Sequence, residues 1–152
     1  MGTTEVGDIG EYTILLKALK RGWGVATPIG KPPYDLIFDI KGKLIKIQVK
    51  SAWFDVHSQN YVVDSRRTKT NRRLMKRSSY SQSDFDFAVC YISEKDLTYI
   101  FPIKTFISYE GPVHLVVKEK RQRKPKSDKY KEAWDLIEDL SRVSRRGPRQ
   151  RS

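Results

Sequence analysis

Apolar residues recur at Ile9, Tyr12, Leu15, Leu16 and Leu19, and the pattern stops at Arg21-Gly22. This spacing predicts an amphipathic helix over residues 8–21 closed by a glycine. A strand is expected from Trp23 to Ile29. After the breaker Gly30-Lys31-Pro32-Pro33 come two alternating segments, Tyr34–Ile40 and Leu44–Trp53, joined by the turn Lys41-Gly42-Lys43. Tyr61-Val62-Val63 forms a short apolar segment. Phe85–Ile92 and Leu97–Phe101 make a second hairpin around Ser93-Glu94-Lys95-Asp96. Pro102–Phe106 suggests a short helix and Val113–Val117 a further strand. From Ser127, an N-cap residue, Tyr130, Ala133, Trp134, Ile137 and Leu140 fall on one helical face.

Charge changes this picture in the second part of the chain. The 152 residues carry 30 Lys+Arg against 18 Asp+Glu. Residues 1–65 hold eight basic and seven acidic side chains, so nearly all of the excess of +12 lies beyond them. Residues 66–77 contain seven basic positions and no acid, which predicts a solvated loop or a helix facing phosphates. Residues 118–126 hold six more basic positions. Concentrated Lys and Arg displace counterions from a phosphate backbone, so nucleic acid is the expected partner. Residues 142–152 place arginines among Ser, Gly and Pro without an acid and read as a flexible basic tail after a domain over 1–141.

Other classes fall away. The single cysteine, Cys90, cannot form an internal disulfide, and His57 and His114 have no partners at zinc spacing. No apolar run reaches the ~20 residues of a membrane span, and the start carries no signal pattern, so a cytoplasmic, nucleoid-associated protein is expected.

Pro33-Tyr34-Asp35, then Gln48-Val49-Lys50, with Glu11 on the helix upstream, resemble the active-site signature of the PD-(D/E)XK nuclease superfamily. The resemblance implies an α/β (α+β) fold with a restriction-endonuclease-like core, a mixed β-sheet flanked by helices. Within the superfamily, the Gly-Asp-Ile-Gly-Glu helix, the PPYDLIFD and KIQVKS strands and the YKEAWDLI segment are similar to the group I intron-encoded homing endonucleases. That likeness implies cutting of both strands of double-stranded DNA at a target site. It also implies a homo-oligomer, a tetramer ahead of a dimer.

Strand alternation supplies the physics. Lys46, Gln48 and Lys50 share one face of their strand, while Ile45, Ile47 and Val49 share the other. If the neighbouring strand brings Asp35 to the first face, its carboxylate, the Gln48 carbonyl and the Val49 main-chain carbonyl form an oxygen-only set suited to Mg²⁺, or Mn²⁺ in its place. Glu11 adds a carboxylate, and Lys50 can orient or deprotonate water and stabilise developing charge. Gln48 departs from the family pattern, which usually has Glu or Asp there. The candidate catalytic residues are therefore Glu11, Asp35, Gln48 and Lys50, and the candidate metal ligands Glu11, Asp35, Gln48 and Val49. Phosphate contacts are expected from Arg66, Arg67, Lys69, Arg72, Arg73, Lys120, Arg121 and Lys124.

Blander readings stand beside these. Asp8-x-x-Glu11 also fits a capping box, in which Glu11 only satisfies a backbone N–H. Asp39 and Lys46 suit a solvated face. Trp23, Trp53 and Trp134 are expected as core anchors, and Cys90 as a small buried hydrophobe. A Holliday-junction resolvase, or a DNA-binding module of the same fold without catalysis, are the competing functions.

Overall fold

The computed structural model describes residues 2–71, 74–118 and 124–143. A long helix, α1 (Thr3–Lys20), leads into β1 (Gly24–Ala26), β2 (Leu36–Ile40) and β3 (Lys43–Ser51). The short strands β4 (Trp53–Asp55) and β5 (Asn60–Val63) follow, then a hairpin of β6 (Arg66–Asn71) and β7 (Leu74–Ser79). The chain returns through β8 (Phe87–Ile92), β9 (Leu97–Pro102), α2 (Ile103–Ile107) and β10 (Val113–Leu115) to the last helix, α3 (Asp135–Arg142).

The main sheet has the order β1-β2-β3-β8-β9, with β3 and β8 parallel and the other pairs antiparallel. It is thus a mixed sheet, as expected. The β2–β3 turn places Lys41 at φ 51° and Gly42 at φ 86°, the paired left-handed residues of a two-residue hairpin whose twist matches its strands. Asp39 serves this turn, its carboxylate accepting the Gly42 N–H at 2.9 Å.

Each face of the sheet buries its own core. Ile45, Ile47 and Val49 of β3 join Leu36, Phe38 and Val89 beneath α1 and α3, with Trp23 and Trp134 packed among them. On the other face Ala88, Cys90 and Phe101 pack with Val63, Leu115 and Phe106 from a smaller sheet, β10-β5-β4, and from α2. β8 is buried along its whole length, because both layers cover it.

Several expectations need correction. The helix begins at Thr3 rather than 8, and it seats on the sheet through Gly10, Ile14 and Ala18. Ile9, Tyr12, Leu16 and Leu19, expected on the core face, point outward, because the small residues opposite let the backbone approach the sheet. The strand expected over Trp23–Ile29 is confined to Gly24–Ala26, and Ile29 is fully exposed. β3 ends at Ser51, so Trp53 belongs to the smaller sheet and is 49 % exposed instead of anchoring the core. Residues 66–71 and 74–77 are neither loop nor helix but lie in an antiparallel hairpin with Arg66 opposite Ser79, while Arg72 and Arg73 lie outside the described residues.

The helix expected from Ser127 is interrupted. Asp128–Tyr130 is a single tight turn, and α3 starts only after Trp134. The break is held by Glu132 at φ 49°, whose N–H donates to the Thr98 carbonyl at 2.7 Å while its carboxylate accepts the Thr98 N–H at 2.8 Å. That segment completes the β9 edge instead of its own helix. Among the described residues no helix is long and apolar enough to cross a membrane.

Candidate active site

The site forms where β2 begins and β3 continues past it. Ile37 stands opposite Lys46, so Asp35, two residues before it, lies on the same side as Gln48 and Lys50. The Asp35 N–H reaches the Ile47 carbonyl at 2.8 Å, and its carboxylate accepts the Val49 N–H at 2.8 Å. A side chain thus takes the place of a ladder partner, which fixes the carboxylate in the gap.

α1 brings the second acid. Because the helix starts at Thr3 with Gly2 as its cap, Glu11 lies well inside it, and the capping-box reading does not hold. Gly10 explains the close seat of this turn. A Cβ there would stand 2.5 Å from the Ser51 hydroxyl, so only glycine lets α1 lie this close to β3. Glu11 and Asp35 then share a hydrogen bond. Burial raises the Glu11 carboxyl to about 7, and the charges of Asp35 and Asp8 add to the effect. Burial also raises Asp35, against the opposing pull of the Val49 N–H and the Lys50 ammonium. Two carboxyls crowded in this way are short of positive charge.

Lys50 is lowered by burial, countered first by the charge of Asp64 and also by that of Asp35. Its ammonium donates to the Arg66 carbonyl at 3.0 Å and lies 5.0 Å from the centre of the Tyr80 ring. Asp64 and Tyr80 carry no motif in the sequence; the fold alone brings them here. Cys90 stands opposite Lys50 on β8 and is fully buried, its thiol pushed up to about 12, so it is inert packing. Lys46 is occupied elsewhere, donating to the Ser83 carbonyl at 2.7 Å.

The donor set suits a hard divalent cation. Among the described residues no three His, Cys, Asp or Glu side chains cluster as metal ligands, so the acids are the Glu11–Asp35 pair alone. Neutral oxygens must complete the set, and Gln48 and the Val49 carbonyl lie together, with Gln48 Nε2 3.5 Å from that oxygen. Turning the Gln48 amide over would present its oxygen at the cost of one long hydrogen bond.

The root of the basic hairpin borders the site. Arg66 is exposed, and the Arg67 guanidinium donates to the Lys31 carbonyl at 3.3 Å, tying the hairpin to the loop before Asp35. A cavity of about 300 Å³ lies between Arg66, Tyr80 and Tyr109, and one of about 630 Å³ between Tyr109, Lys124 and Lys129. Tyr109 lines both. Lys69 lies on β6, and Arg72, Arg73, Lys120 and Arg121 lie outside the described residues.

A mixed sheet with a carboxylate at the mouth of one strand, a lysine on the next and a helical glutamate beside that carboxylate defines a nuclease core. The family model described as PD-(D/E)XK endonuclease matches residues 1–137, and the chain belongs to that family. Among solved structures, it is similar to the bacterial homing endonuclease I-Ssp6803I, with 51% sequence identity and a TM-score of 0.86. That likeness covers 93% of this chain and 96% of the other. No curated protein matches it.

Proposed function

We propose that this protein is a divalent-metal-dependent, site-specific endonuclease of the homing type that cuts both strands of double-stranded DNA. The observation that carries the reading is the meeting of Glu11, Asp35 and Lys50 in one gap beside the root of a basic hairpin. The likeness to a homing endonuclease over nearly the whole chain supports the same conclusion.

Glu11, Asp35, Gln48 and the Val49 carbonyl would hold the cation, Mg²⁺ or Mn²⁺. When bound, such an ion activates water and neutralises charge on the scissile phosphate. Lys50 acts beside it, orienting the water and stabilising the charge that grows on the phosphate oxygens. Arg66, Arg67 and Lys124 contact phosphates, and the same role is assigned on charge alone to Lys69, Arg72, Arg73, Lys120 and Arg121. Residues 1–141 form the nuclease unit and 142–152 a basic arm, working in the cytoplasm at the nucleoid.

Self-association completes the assignment, since each chain has one centre and a duplex has two strands. The surface for it is the outer face of α1, where Tyr12 is 71 %, Leu16 50 % and Leu19 49 % exposed beside Ile9 and Val6. Pairing this stripe across a two-fold axis buries on the order of 1,000 Å² in total, the lower bound of a specific interface. A tetramer would then arise from two such pairs.

Plasmid cleavage in Mg²⁺ tests the reading, with the target recovered from a randomised library. The wild type linearises the plasmid, whereas Lys50→Ala and Asp35→Asn each slow cutting by about 100-fold or more. EDTA abolishes it. Full activity of Asp35→Asn would place the site elsewhere, and cutting confined to four-way junctions would make the protein a resolvase.

A further inference from the structure

We propose that Tyr80 is a positioning residue of the cleavage reaction, the face of its ring holding the Lys50 ammonium against the Arg66 carbonyl. The inference rests on the reading of Lys50 as the group that acts at the phosphate, and goes beyond it by naming what holds that group.

Lysine is a flexible residue, and an ammonium on a four-carbon stem needs fixed partners to act at one point. The two ends of the β6–β7 hairpin supply them. At the entrance, the Arg66 carbonyl accepts from Lys50 Nζ at 3.0 Å, with the charge of Asp64 nearby. At the exit, Tyr80 follows directly on Ser79, the last residue of β7, and its ring centre lies 5.0 Å from the same nitrogen. An aromatic face carries negative potential and attracts a cation most strongly where water is excluded. Tyr80 is 6 % exposed, so its ring is largely shielded from water.

The ring itself is held. It meets Phe85 edge-on at a centroid distance of 5.0 Å and lies 6.3 Å from Phe106, both fully enclosed in the core of this face. Packing therefore locks the ring while its electrostatics act on Lys50. Core filling asks only for an apolar side chain of the right volume, whereas holding an ammonium asks for an electron-rich face, so the two roles separate experimentally.

The test measures single-turnover cleavage at saturating protein in Mg²⁺ on the target plasmid, DNA affinity in EDTA, and melting temperature. Tyr80→Phe keeps the ring and cuts within about twofold of the wild type. Tyr80→Leu slows the chemical step by roughly ten- to thirtyfold while DNA affinity stays within about threefold. In a Lys50→Ala background Tyr80→Leu adds no further loss. Should Tyr80→Leu fail to fold, pentafluorophenylalanine at position 80 keeps the volume and reverses the electrostatics of the face, and the same slowing is expected. Full-rate cutting by the fluorinated protein, or losses from Tyr80→Leu and Lys50→Ala that multiply, would overturn the inference. Lys50→Ala cutting at the wild-type rate would instead remove the reading on which it rests.

Discussion

Glu11 shows how far a residue's chemistry depends on its neighbours. A glutamate in a helix is ordinarily charged at neutral pH, but here burial and Asp35 lift it to about 7. The consequence for stability has a definite sign. Between its ordinary value near 4.5 and about 7 the folded protein holds a proton that the unfolded chain has released, so stability falls as pH rises through that window. Above it the contribution is level. In EDTA the melting temperature of the wild type should therefore drop between pH 5 and pH 8, and Glu11→Gln should drop less and melt higher at pH 8. Parallel curves for the two proteins would show that Glu11 is not crowded against Asp35. The acids were legible in the sequence as residue types at the right order, whereas the mutual shift of their titration required the contact.

At the scale of elements, the seat of α1 decides whether Glu11 arrives at all. The helix has apolar residues on two faces, and periodicity favours the larger ones, Ile9, Tyr12, Leu16 and Leu19. The sheet instead takes Gly10, Ile14 and Ala18, because close approach of backbone to β3 buries more atoms than long side chains held at a distance. Gly10→Val should destabilise the protein by about 1–3 kcal/mol, as overpacking against Ser51 and Val49 forces the helix outward. Cleavage should fall with it, since Glu11 moves away from Asp35. An unchanged melting temperature would show that α1 tolerates a branched side chain at this seat. The β6–β7 hairpin makes a similar point: a run so rich in Lys and Arg has no alternation of apolar and polar positions, and its strand pairing was hidden for that reason.

The whole molecule joins a strongly basic second half of the chain to one candidate centre, and α1 turns its second apolar stripe away from both cores. Leu16→Glu together with Ile9→Glu would place like charges across the proposed two-fold contact without touching either core. Sedimentation should show the wild type as an oligomer and the double variant as a monomer. The monomer should nick the target where the wild type breaks both strands. A wild-type protein that sediments as a monomer would remove self-association from the reading, and a double variant that still assembles would move the surface away from α1.

The order Glu11, Asp35, Gln48, Lys50, the hairpin of β2 and β3, the burial of Cys90 and the basic second half all follow from the linear chain, because alternation, turn residues and charge are local properties. Trp53 on the surface, the break at Glu132 and the company of Asp64 and Tyr80 around Lys50 do not. Each depends on pairing between segments distant in sequence, where the free energy of a close fit or a completed strand edge outweighs local preference. Sequence determined which groups could act on a phosphate; tertiary structure decided which of them meet, since only packing sets distance, burial and the charge each group keeps.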